Sequence, residues 1–248
     1  MNSNIWRVQI HGATPDLVYL AQHHTNQSRV VERDDNNDAF FYGSESFAAC
    51  SDANEVLDVA TKELRVLSGI LKVFADSSEP LRAGSIRKRN AAGGEDQIIH
   101  IGTAHITSKG GHVSAVGIVT DSSGNLVVKS APLPRTVAVE QLAASDAAVE
   151  KVMRLVAAPD SQTWAGMYRM LEVIVADVGS VHKLKNSVWS DSGQVVRFMR
   201  SANSVQASGD AARHGRENTE PPPDPMSADQ AAAFLTQLIK TWLLSKKA

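Results

Sequence analysis

Cysteine is almost missing from this sequence, since Cys50 is the only one among 248 residues. A single cysteine excludes an intramolecular disulfide and leaves no cysteine pair to hold a metal. Long hydrophobic runs are missing too: no segment approaches the roughly 18 to 20 apolar residues that span a bilayer, and the N-terminus lacks the pattern of a signal peptide. We therefore expect a cytoplasmic protein with no membrane segment, no metal site and no cofactor.

The sequence also lacks the common signatures of nucleotide, hydrolase and metal chemistry. It contains no GxxxxGK[ST], GxSxG or HExxH motif, and no GxGxxG after a predicted strand. Aromatic residues make up only 5% of the chain, which is few for stacking on bases, and the formal net charge of −2 provides no overall attraction to nucleic acid or to a membrane. Acidic residues predominate in residues 1–80 and basic residues in residues 180–248, so an anionic partner is expected at the back half.

What is present is an ordinary globular composition, with 43% hydrophobic and 21% charged residues. The first half contains two predicted helices, a short one that begins at Thr14 and Pro15 and a long one over residues 52–75. Strands are predicted at residues 6–10, 29–33, 39–42, 81–89, 97–107, 113–120 and 126–129, with turn-forming residues between them. The pattern predicts an α+β fold whose N-terminal domain, residues 1–131, is an antiparallel sheet with one long and one short helix.

The back half is predicted to be a helical bundle over residues 136–248. A proline-containing stretch just before it marks the predicted domain boundary. Beyond that boundary, apolar residues recur at helical spacing in three stretches, which begin near residues 149, 164 and 191. A proline-rich segment, residues 220–225, then interrupts the helices. After it, Ser227 and Gln230 have the spacing of a capping box ahead of a final apolar helix.

Several reactive and anion-binding side chains crowd into one stretch of the back half that is rich in small residues. Arg200 and Asn203 are three residues apart and would share one face of a helix, as would Asp210 and His214, which are four apart. Asp210 would then orient the imidazole of His214 and raise its basicity. Together with Arg213, whose guanidinium is a fork of donors, these residues would form a phosphate site in which His214 acts as a general acid or base.

The same residues also fit a structural role. In that interpretation Arg213 and His214 hydrogen-bond to carbonyl or carboxylate groups and pin a loop under the final helix. Glu172 lies on an otherwise apolar predicted helix and needs a partner if it is buried, so an ion pair between Glu172 and Arg213 is one such contact. The basic cluster at residues 87–89 likewise fits either a phosphate contact or a solvated strand edge.

A set of residues in the back half carries a resemblance to known proteins. The set consists of Trp164, Tyr168 and Glu172 on one predicted helix, Ala202-Asn203-Ser204, Gly209-Asp210, Ala212-Arg213-His214-Gly215, and the proline run before the last helix. On these residues the chain resembles a widespread type of uncharacterised bacterial protein. Residues 140–248 are also similar to the HEPN superfamily of RNA-cleaving or nucleotide-binding helical domains. Here the pattern departs from that of active members, because Arg213 and His214 are adjacent and not separated by several residues.

Two functions from different classes follow from these features. We favour a non-catalytic interaction or regulatory protein, with a protein partner or a second copy of itself, because the chain is nearly neutral and has few aromatic residues. The alternative is a protein that binds RNA or a nucleotide phosphate, as a binding protein or a ribonuclease, through Arg200, Asn203, Arg213 and His214. A small-molecule pocket between the two halves is a third function, which rests only on how often such sites occur between domains.

Overall fold

A computed structural model gives the fold of this chain and describes residues 6–25, 28–34, 38–90, 94–98, 119–120, 126–127, 134–213 and 220–246. The chain divides into two compact units. Unit 1 comprises Met1–His11, Leu17–Ala60 and Ala83–Arg135, and unit 2 comprises Gly12–Asp16, Thr61–Arg82 and Thr136–Ala248. The domains predicted from the sequence, residues 1–131 and 136–248, stay a prediction; in the structure, residues 61–82 group with the helical unit.

Unit 1 is built on a five-stranded antiparallel sheet. Its strands are β1 (Trp6–His11), β2 (Arg29–Asp34), β3 (Ala39–Ser44), β4 (Arg82–Arg89) and β5 (Glu95–Ile98), in the order β2-β3-β1-β4-β5. Helix α1 (Thr14–His23) connects β1 to β2, and helix α2 (Ala53–Phe74) connects β3 to β4. Each helix thus joins two strands that flank a third, which is the split βαβ connectivity of ferredoxin-like folds. The predicted α+β class is confirmed.

One face of this sheet packs into a core. Val8 of β1 and Val31 of β2 both pair with Tyr42 of β3, the strand that lies between them. Paired residues share a face of a sheet, and all three of these side chains are buried. Phe47 follows in a 3₁₀ turn and packs edge-on against the Tyr42 ring, with 5.9 Å between the ring centres. Aromatic packing therefore closes the end of β3 onto the same core.

The opposite face of the sheet carries an ion-pair network over an aromatic ring. Phe41 is only 1% exposed, because the guanidinium groups of Arg7 and Arg87 lie over its ring at 5.3 and 4.2 Å. Arg7 pairs with Glu32 and Glu95, and Arg87 lies 3.5 Å from Glu95 as well. One cation of the basic cluster at residues 87–89 is therefore neutralised within the sheet, which favours the structural interpretation of that cluster.

Helix α2 begins where the sequence predicts. The Asp52 carboxylate accepts hydrogen bonds from the amides of Asn54 and Glu55, at 2.8 and 3.0 Å. Glu55 in turn accepts from the amide of Ser51 at 2.7 Å. These bonds satisfy amides of the first turn, which have no partner within the helix. Shortly after α2 ends, Asp76 adopts a positive φ of 51°, a left-handed conformation that few non-glycine residues take.

Unit 2 is helical, as predicted. Besides the second part of α2 it contains α3 (Pro134–Ser145), α4 (Ala147–Val156), α5 (Trp164–Val178), α6 (Val181–Lys185), α7 (Ser192–Asn203), α8 (Val205–Ser208) and α9 (Ala228–Ser245). Asp146, Thr163 and Asp191 cap α4, α5 and α7 through their side-chain oxygens. Apolar spacing, with these caps as local signals, predicted α4, α5, α7 and α9, whereas α3 and the short helices α6 and α8 were not predicted.

The core of unit 2 is one cluster of buried apolar side chains. Its members include Val66, Ile70 and Val73 of α2, Val152 and Met153 of α4, Met167, Leu171 and Ile174 of α5, Val195 and Phe198 of α7, and Leu235, Leu238 and Trp242 of α9. Glycine permits the closest approach within this core. A Cβ at Gly69 would lie 2.0 Å from the carbonyl oxygen of Met153, so α2 and α4 touch there through their backbones.

The capping box predicted at the start of α9 is formed. The Ser227 hydroxyl accepts from the amide of Gln230 at 3.2 Å, and the Gln230 side chain accepts from the amide of Ser227 at 3.0 Å. Just before it, the amide of Met226 donates to the hydroxyl of Ser201 on α7 at 2.9 Å. The proline-rich segment is therefore tied to α7 at the point where α9 begins.

A polar anchor holds the other end of α9. The Trp242 ring is buried, and its Nε1 donates to the Asp177 carboxylate at 2.9 Å. The Lys246 ammonium bridges Asp146 and Asp177 at 2.6 and 2.8 Å. Burial by itself would raise the pKa of the Asp146 carboxyl, but the hydrogen bonds from Lys246 and from the amides that Asp146 caps lower it below its ordinary value.

Part of the sheet prediction lies outside the described residues. The strand predicted at residues 97–107 begins in β5, and its continuation beyond Ile98 is not among them. Two short strands, β6 (Val119–Thr120) and β7 (Leu126–Val127), pair in a separate antiparallel sheet. In the part of the chain that the structure describes, no helix is both long and apolar enough to cross a membrane.

Candidate functional site

Arg213, the centre of the predicted phosphate site, is held by protein groups. Its guanidinium carbon lies 3.8 Å from the centre of the Tyr168 ring, and its Nη2 donates to the Glu172 carboxylate at 2.5 Å. Tyr168 and Glu172 are one turn apart on α5, so one helix face presents both an aromatic ring and a carboxylate to the arginine. The ion pair between Glu172 and Arg213 that the sequence suggested is confirmed.

Arg200 and Asn203 are also bonded within the protein. Arg200 lies on α7 and donates to two carbonyl oxygens at the start of the proline-rich segment, at 3.3 and 3.0 Å. Asn203, at the end of the same helix, lies 3.4 Å from the Tyr168 hydroxyl through its Nδ2. The structure thus brings Asn203 and Arg213 to the same tyrosine, whereas Arg200 is engaged by the proline-rich segment.

The continuous helix that would place Asp210 and His214 on one face is interrupted before position 214. Helix α8 ends at Ser208, Gly209–Ala211 form a 3₁₀ turn, and Ala212 has backbone angles of −55° and 146°, which are not helical. No continuous helix leads from Asp210 toward position 214, and the Asp210 side chain is exposed. His214 itself lies outside the described residues, so its catalytic role stays a prediction.

Two buried oxygens close to this cluster, Asn203 Oδ1 and Ser204 Oγ, have no hydrogen-bond partner within the described residues. The orientation of the Asn203 amide follows from its Nδ2, which donates to the Met199 carbonyl at 2.9 Å. Its Oδ1 is an acceptor and would bind a donor, whereas a phosphate brings mainly acceptors. The cluster therefore favours the structural interpretation of Arg213 over a phosphate site.

Loss of the Arg213 guanidinium is expected to destabilise unit 2. Arg213→Ala removes both the ion pair with Glu172 and the contact with the Tyr168 ring, which together contribute about 1–2 kcal/mol to the free energy of unfolding. Arg213→Lys restores only part of this, because an ammonium lacks the planar stacking surface. Urea unfolding followed by circular dichroism measures both variants. An Arg213→Ala protein as stable as the wild type would contradict the structural role.

A pocket within unit 2 collects a second group of polar side chains. Its volume is about 620 Å³. Ser68 and Lys72 of α2, Asp76 and Glu79 of the turn after α2, and Ser161 of the turn between α4 and α5 are among the residues that line it. Concave sites of this size with a few convergent polar groups are the usual form of small-molecule binding sites.

Lys72 supplies the positive charge of this pocket. Its Nζ donates to the Ser161 hydroxyl at 2.9 Å, and it forms no ion pair with any other residue that the structure describes. Burial lowers the pKa of the Lys72 ammonium below its ordinary value, because a half-buried charge loses part of its hydration. An ammonium with one neutral partner gains strongly from an anion beside it.

The turn between α4 and α5 fixes the position of the Ser161 hydroxyl. The amide of Ser161 donates to the Ala158 carbonyl at 3.0 Å, and the Thr163 hydroxyl caps α5 by accepting from the Gly166 amide at 3.0 Å. A Cβ at Gly166 would lie 2.0 Å from the carbonyl oxygen of Asp160, so the turn packs directly on the first turn of α5. Lys72 therefore meets a hydroxyl that the backbone holds in place.

Two carboxylates line the same pocket. Glu79 pairs with Arg82 at 2.8 Å, whereas Asp76 is exposed and makes no ion pair with another described residue. The neighbouring Ser77 donates from its hydroxyl to the Asp16 carboxylate at 2.5 Å. Burial raises the pKa of Asp16, the Ser77 hydrogen bond opposes the rise, and the charge of Glu79 adds to it. Apart from Lys72, the charged side chains that line the pocket are therefore acidic.

An apolar cleft adjoins this pocket. The two share Lys72, Ser161, Gln162 and Thr236, and the cleft has a volume of about 60 Å³. The rest of its lining is apolar and includes Val73, Val156, Met167, Met170, Leu235 and Ile239. The positive charge of the pocket thus stands at the junction between polar and apolar walls.

Sequence reasoning missed Lys72 and Ser161. A lysine in the last turn of a predicted helix is ordinarily a solvated residue that complements the helix dipole, and its serine partner lies 89 residues further along the chain. The one local signal was the position of Lys72 itself, which interrupts the apolar run at residues 70–74. That signal does not identify a site without the helix packing.

The fold and these contacts define an α+β protein with a ferredoxin-like sheet unit and a helical unit that contains a lysine-bearing pocket. Comparisons with protein-family models, with curated proteins and with solved structures found no match. Among the described residues, no group of three or more histidine, cysteine, aspartate or glutamate side chains is placed to hold a metal ion. The resemblances to uncharacterised bacterial proteins and to the HEPN superfamily stay predictions.

Proposed function

We propose that this chain is a non-catalytic regulatory protein whose helical unit binds a small organic anion in the pocket at Lys72. The observation that carries the proposal is the 2.9 Å contact between Lys72 Nζ and the Ser161 hydroxyl, which gives a half-buried ammonium only a neutral partner within the described residues. A carboxylate would replace the hydration that burial removes. A charge-assisted hydrogen bond of this kind contributes about 1.5–3 kcal/mol.

The surroundings of Ser161 favour binding over catalysis. A serine nucleophile needs a base that takes its proton and donors that stabilise the oxyanion. In its ammonium form Lys72 donates to the Ser161 hydroxyl, and the Ser161 amide is not free to stabilise an oxyanion because it is already bonded to the Ala158 carbonyl. A protein that binds a ligand without converting it responds by a change in stability or conformation, as a regulator does.

Calorimetric titration of the full chain with 4-methylpentanoate, a small apolar carboxylate, tests this function. We expect saturable binding that Lys72→Met weakens at least about tenfold, because methionine keeps the apolar stem and lacks the charge. Lys62→Met is the matched control, since Lys62 is an exposed lysine of the same helix and does not line the pocket. Equal affinity of the wild type and Lys72→Met, or no binding at all, would refute the proposal.

The affinity is also expected to depend on pH through Lys72. Because burial lowers the pKa of this lysine, its ammonium loses the proton at a lower pH than an ordinary lysine, whose pKa is about 10.4. Affinity for a carboxylate is therefore full below the lowered pKa and falls about tenfold per pH unit above it. The charged groups around Lys72 are the carboxyls of Asp76, Glu79 and Asp16, together with Arg82, which pairs with Glu79 and stays charged, so an alkaline transition reports the lysine. Lys72→Met removes that transition.

Binding of RNA or a nucleotide phosphate, the alternative predicted from the sequence, has less support because Arg200 and Arg213 both have protein partners. A mixed RNA pool at low and moderate salt tests it with the Arg213→Ala, His214→Ala double variant. Salt-sensitive binding that only the wild type shows would restore the phosphate site. In the proposed regulation, binding of the small anion would change how strongly the chain binds its predicted protein partner or a second copy of itself.

A further inference from the structure

The pocket at Lys72 offers three chemical environments to one ligand. The first is the Lys72 ammonium with the Ser161 hydroxyl, the second is the Asp76 carboxylate, and the third is the apolar cleft. A ligand that satisfies all three has an anionic group, a cationic group and a short apolar branch. We propose that it is a small α-amino acid with an apolar side chain, such as leucine or valine; this inference rests on the proposed function and names its ligand.

The charges of the pocket match a zwitterion better than a simple anion. Lys72 would pair with the α-carboxylate, and the Ser161 hydroxyl has a proton to donate to the second carboxylate oxygen, because it accepts its bond from Lys72. Asp76 is exposed and makes no ion pair with another described residue, so its carboxylate can receive the α-ammonium, whereas Arg82 already holds Glu79. A ligand with only negative charge would meet repulsion from Asp76.

The backbone conformation at Asp76 permits a substitution that tests the contact between this residue and the ammonium group of the ligand. The residue has a φ of 51° directly after α2. Aspartate and asparagine take this left-handed conformation more readily than other non-glycine residues, because their short polar side chains bond locally. Asp76→Asn therefore keeps the backbone and the side-chain shape and removes only the charge.

The apolar cleft sets the size of the side chain. Its volume of about 60 Å³ is several times the roughly 10–15 Å³ that admits one water molecule, so it accepts about three or four carbon atoms. Met167 and Met170 line it and can adapt to branched shapes, since their side chains are unbranched and flexible. The apolar lining disfavours a charged side chain, and the volume disfavours a large aromatic one.

Three probes with the same branched tail separate the contributions of the two charges. L-leucine carries both charges, 4-methylpentanoate lacks the ammonium, and 3-methylbutylamine lacks the carboxylate. In calorimetric titrations of the full chain we expect leucine to bind at least about fivefold more tightly than 4-methylpentanoate, and the amine to bind most weakly. Glycine, which lacks the tail, is expected to bind at least about tenfold more weakly than leucine.

Asp76→Asn provides the residue-level test. It is expected to weaken leucine at least about fivefold and to leave 4-methylpentanoate unchanged or slightly tighter, because only leucine presents an ammonium to position 76. Asp58→Asn is the matched control: Asp58 is an exposed carboxylate of α2 that does not line the pocket, and both affinities should stay at the wild-type value. Thermal unfolding of each variant verifies that it is folded.

The outcomes distinguish the two proposals. If 4-methylpentanoate binds as tightly as leucine, or if Asp76→Asn affects both probes alike, the amino-acid inference is overturned while the anion site stands. If neither probe binds, or if both bind equally well to Lys72→Met, the proposed function fails with it. Selective weakening of leucine by Asp76→Asn, together with loss of both probes in Lys72→Met, supports the inference.

Discussion

Gly69→Ala is expected to lower the free energy of unfolding by about 3–5 kcal/mol, an effect near the upper end for a single substitution. The added methyl group would lie 2.0 Å from the carbonyl oxygen of Met153. That neighbour is backbone and cannot rotate away, so α2 and α4 would have to separate and the core between them would loosen. Thermal unfolding should show a decrease of roughly 10 °C in the melting temperature.

Gly193→Ala is the matched control for that experiment. Gly193 lies in the first turn of α7, and the nearest atom to an added Cβ is the capping Asp191 oxygen at 3.3 Å, which needs to shift by only a few tenths of an ångström. Alanine has the higher helix propensity, so the expected change is a gain of about 0.5–1 kcal/mol. Opposite signs for the same substitution would establish the close helix contact, whereas two small gains would mean that α2 and α4 are further apart than described.

Trp242→Ala is expected to cost about 3–5 kcal/mol, the range for deletion of a buried aromatic side chain. The ring is 1% exposed in the core of unit 2, and its Nε1 donates to Asp177 at 2.9 Å. The substitution therefore opens a cavity and also removes one partner of a carboxylate that Lys246 still holds.

Trp242→Phe separates the two contributions to that loss. Phenylalanine retains most of the packing and lacks the donor, so we expect a cost of about 1–2 kcal/mol from the broken hydrogen bond and the smaller ring. Urea unfolding monitored by circular dichroism measures the free energy of unfolding of both variants under the same conditions. Equal losses in the alanine and phenylalanine variants would mean that the hydrogen bond, and not burial, dominates the contribution of this residue.

The features that were predicted correctly depend on short-range sequence signals. Asp52 with Glu55 and Ser227 with Gln230 indicate helix starts because the bonding groups lie three residues apart, and both helices begin there. Apolar spacing likewise indicates α4, α5 and α7, and turn residues separate the strands. The α+β class follows from the order of these patterns. Strands joined by tight turns, β2 with β3 and β4 with β5, were predicted as neighbours, but the position of β1 between β3 and β4 was not, because it is set by crossovers longer than any sequence window.

The candidate sites were predictable only in part. The contact between Glu172 and Arg213 was one hypothesis from the sequence, because a buried glutamate on an apolar helix would need a partner; the ion pair is formed although Glu172 is exposed. Arg200 and Asn203 do share helix α7, but the helix expected to bring Asp210 and His214 together is interrupted at Ala212, whose backbone angles are not helical. The pocket at Lys72 depends on a pairing with Ser161 across 89 residues, which no local pattern encodes.

The assignment of residues 61–82 to unit 2 has a consequence for how this protein can be divided. Val66, Ile70 and Val73 belong to the same apolar cluster as the helices after residue 136. A gene fragment that encodes only residues 136–248 would therefore code for a helical unit with one wall of its core missing. The unit is therefore not one contiguous stretch of sequence, because residues 17–60 and 83–135 stand between its three parts. Both units are defined by contacts in space and not by a contiguous stretch of sequence, so a cut at one point of the chain cannot separate them.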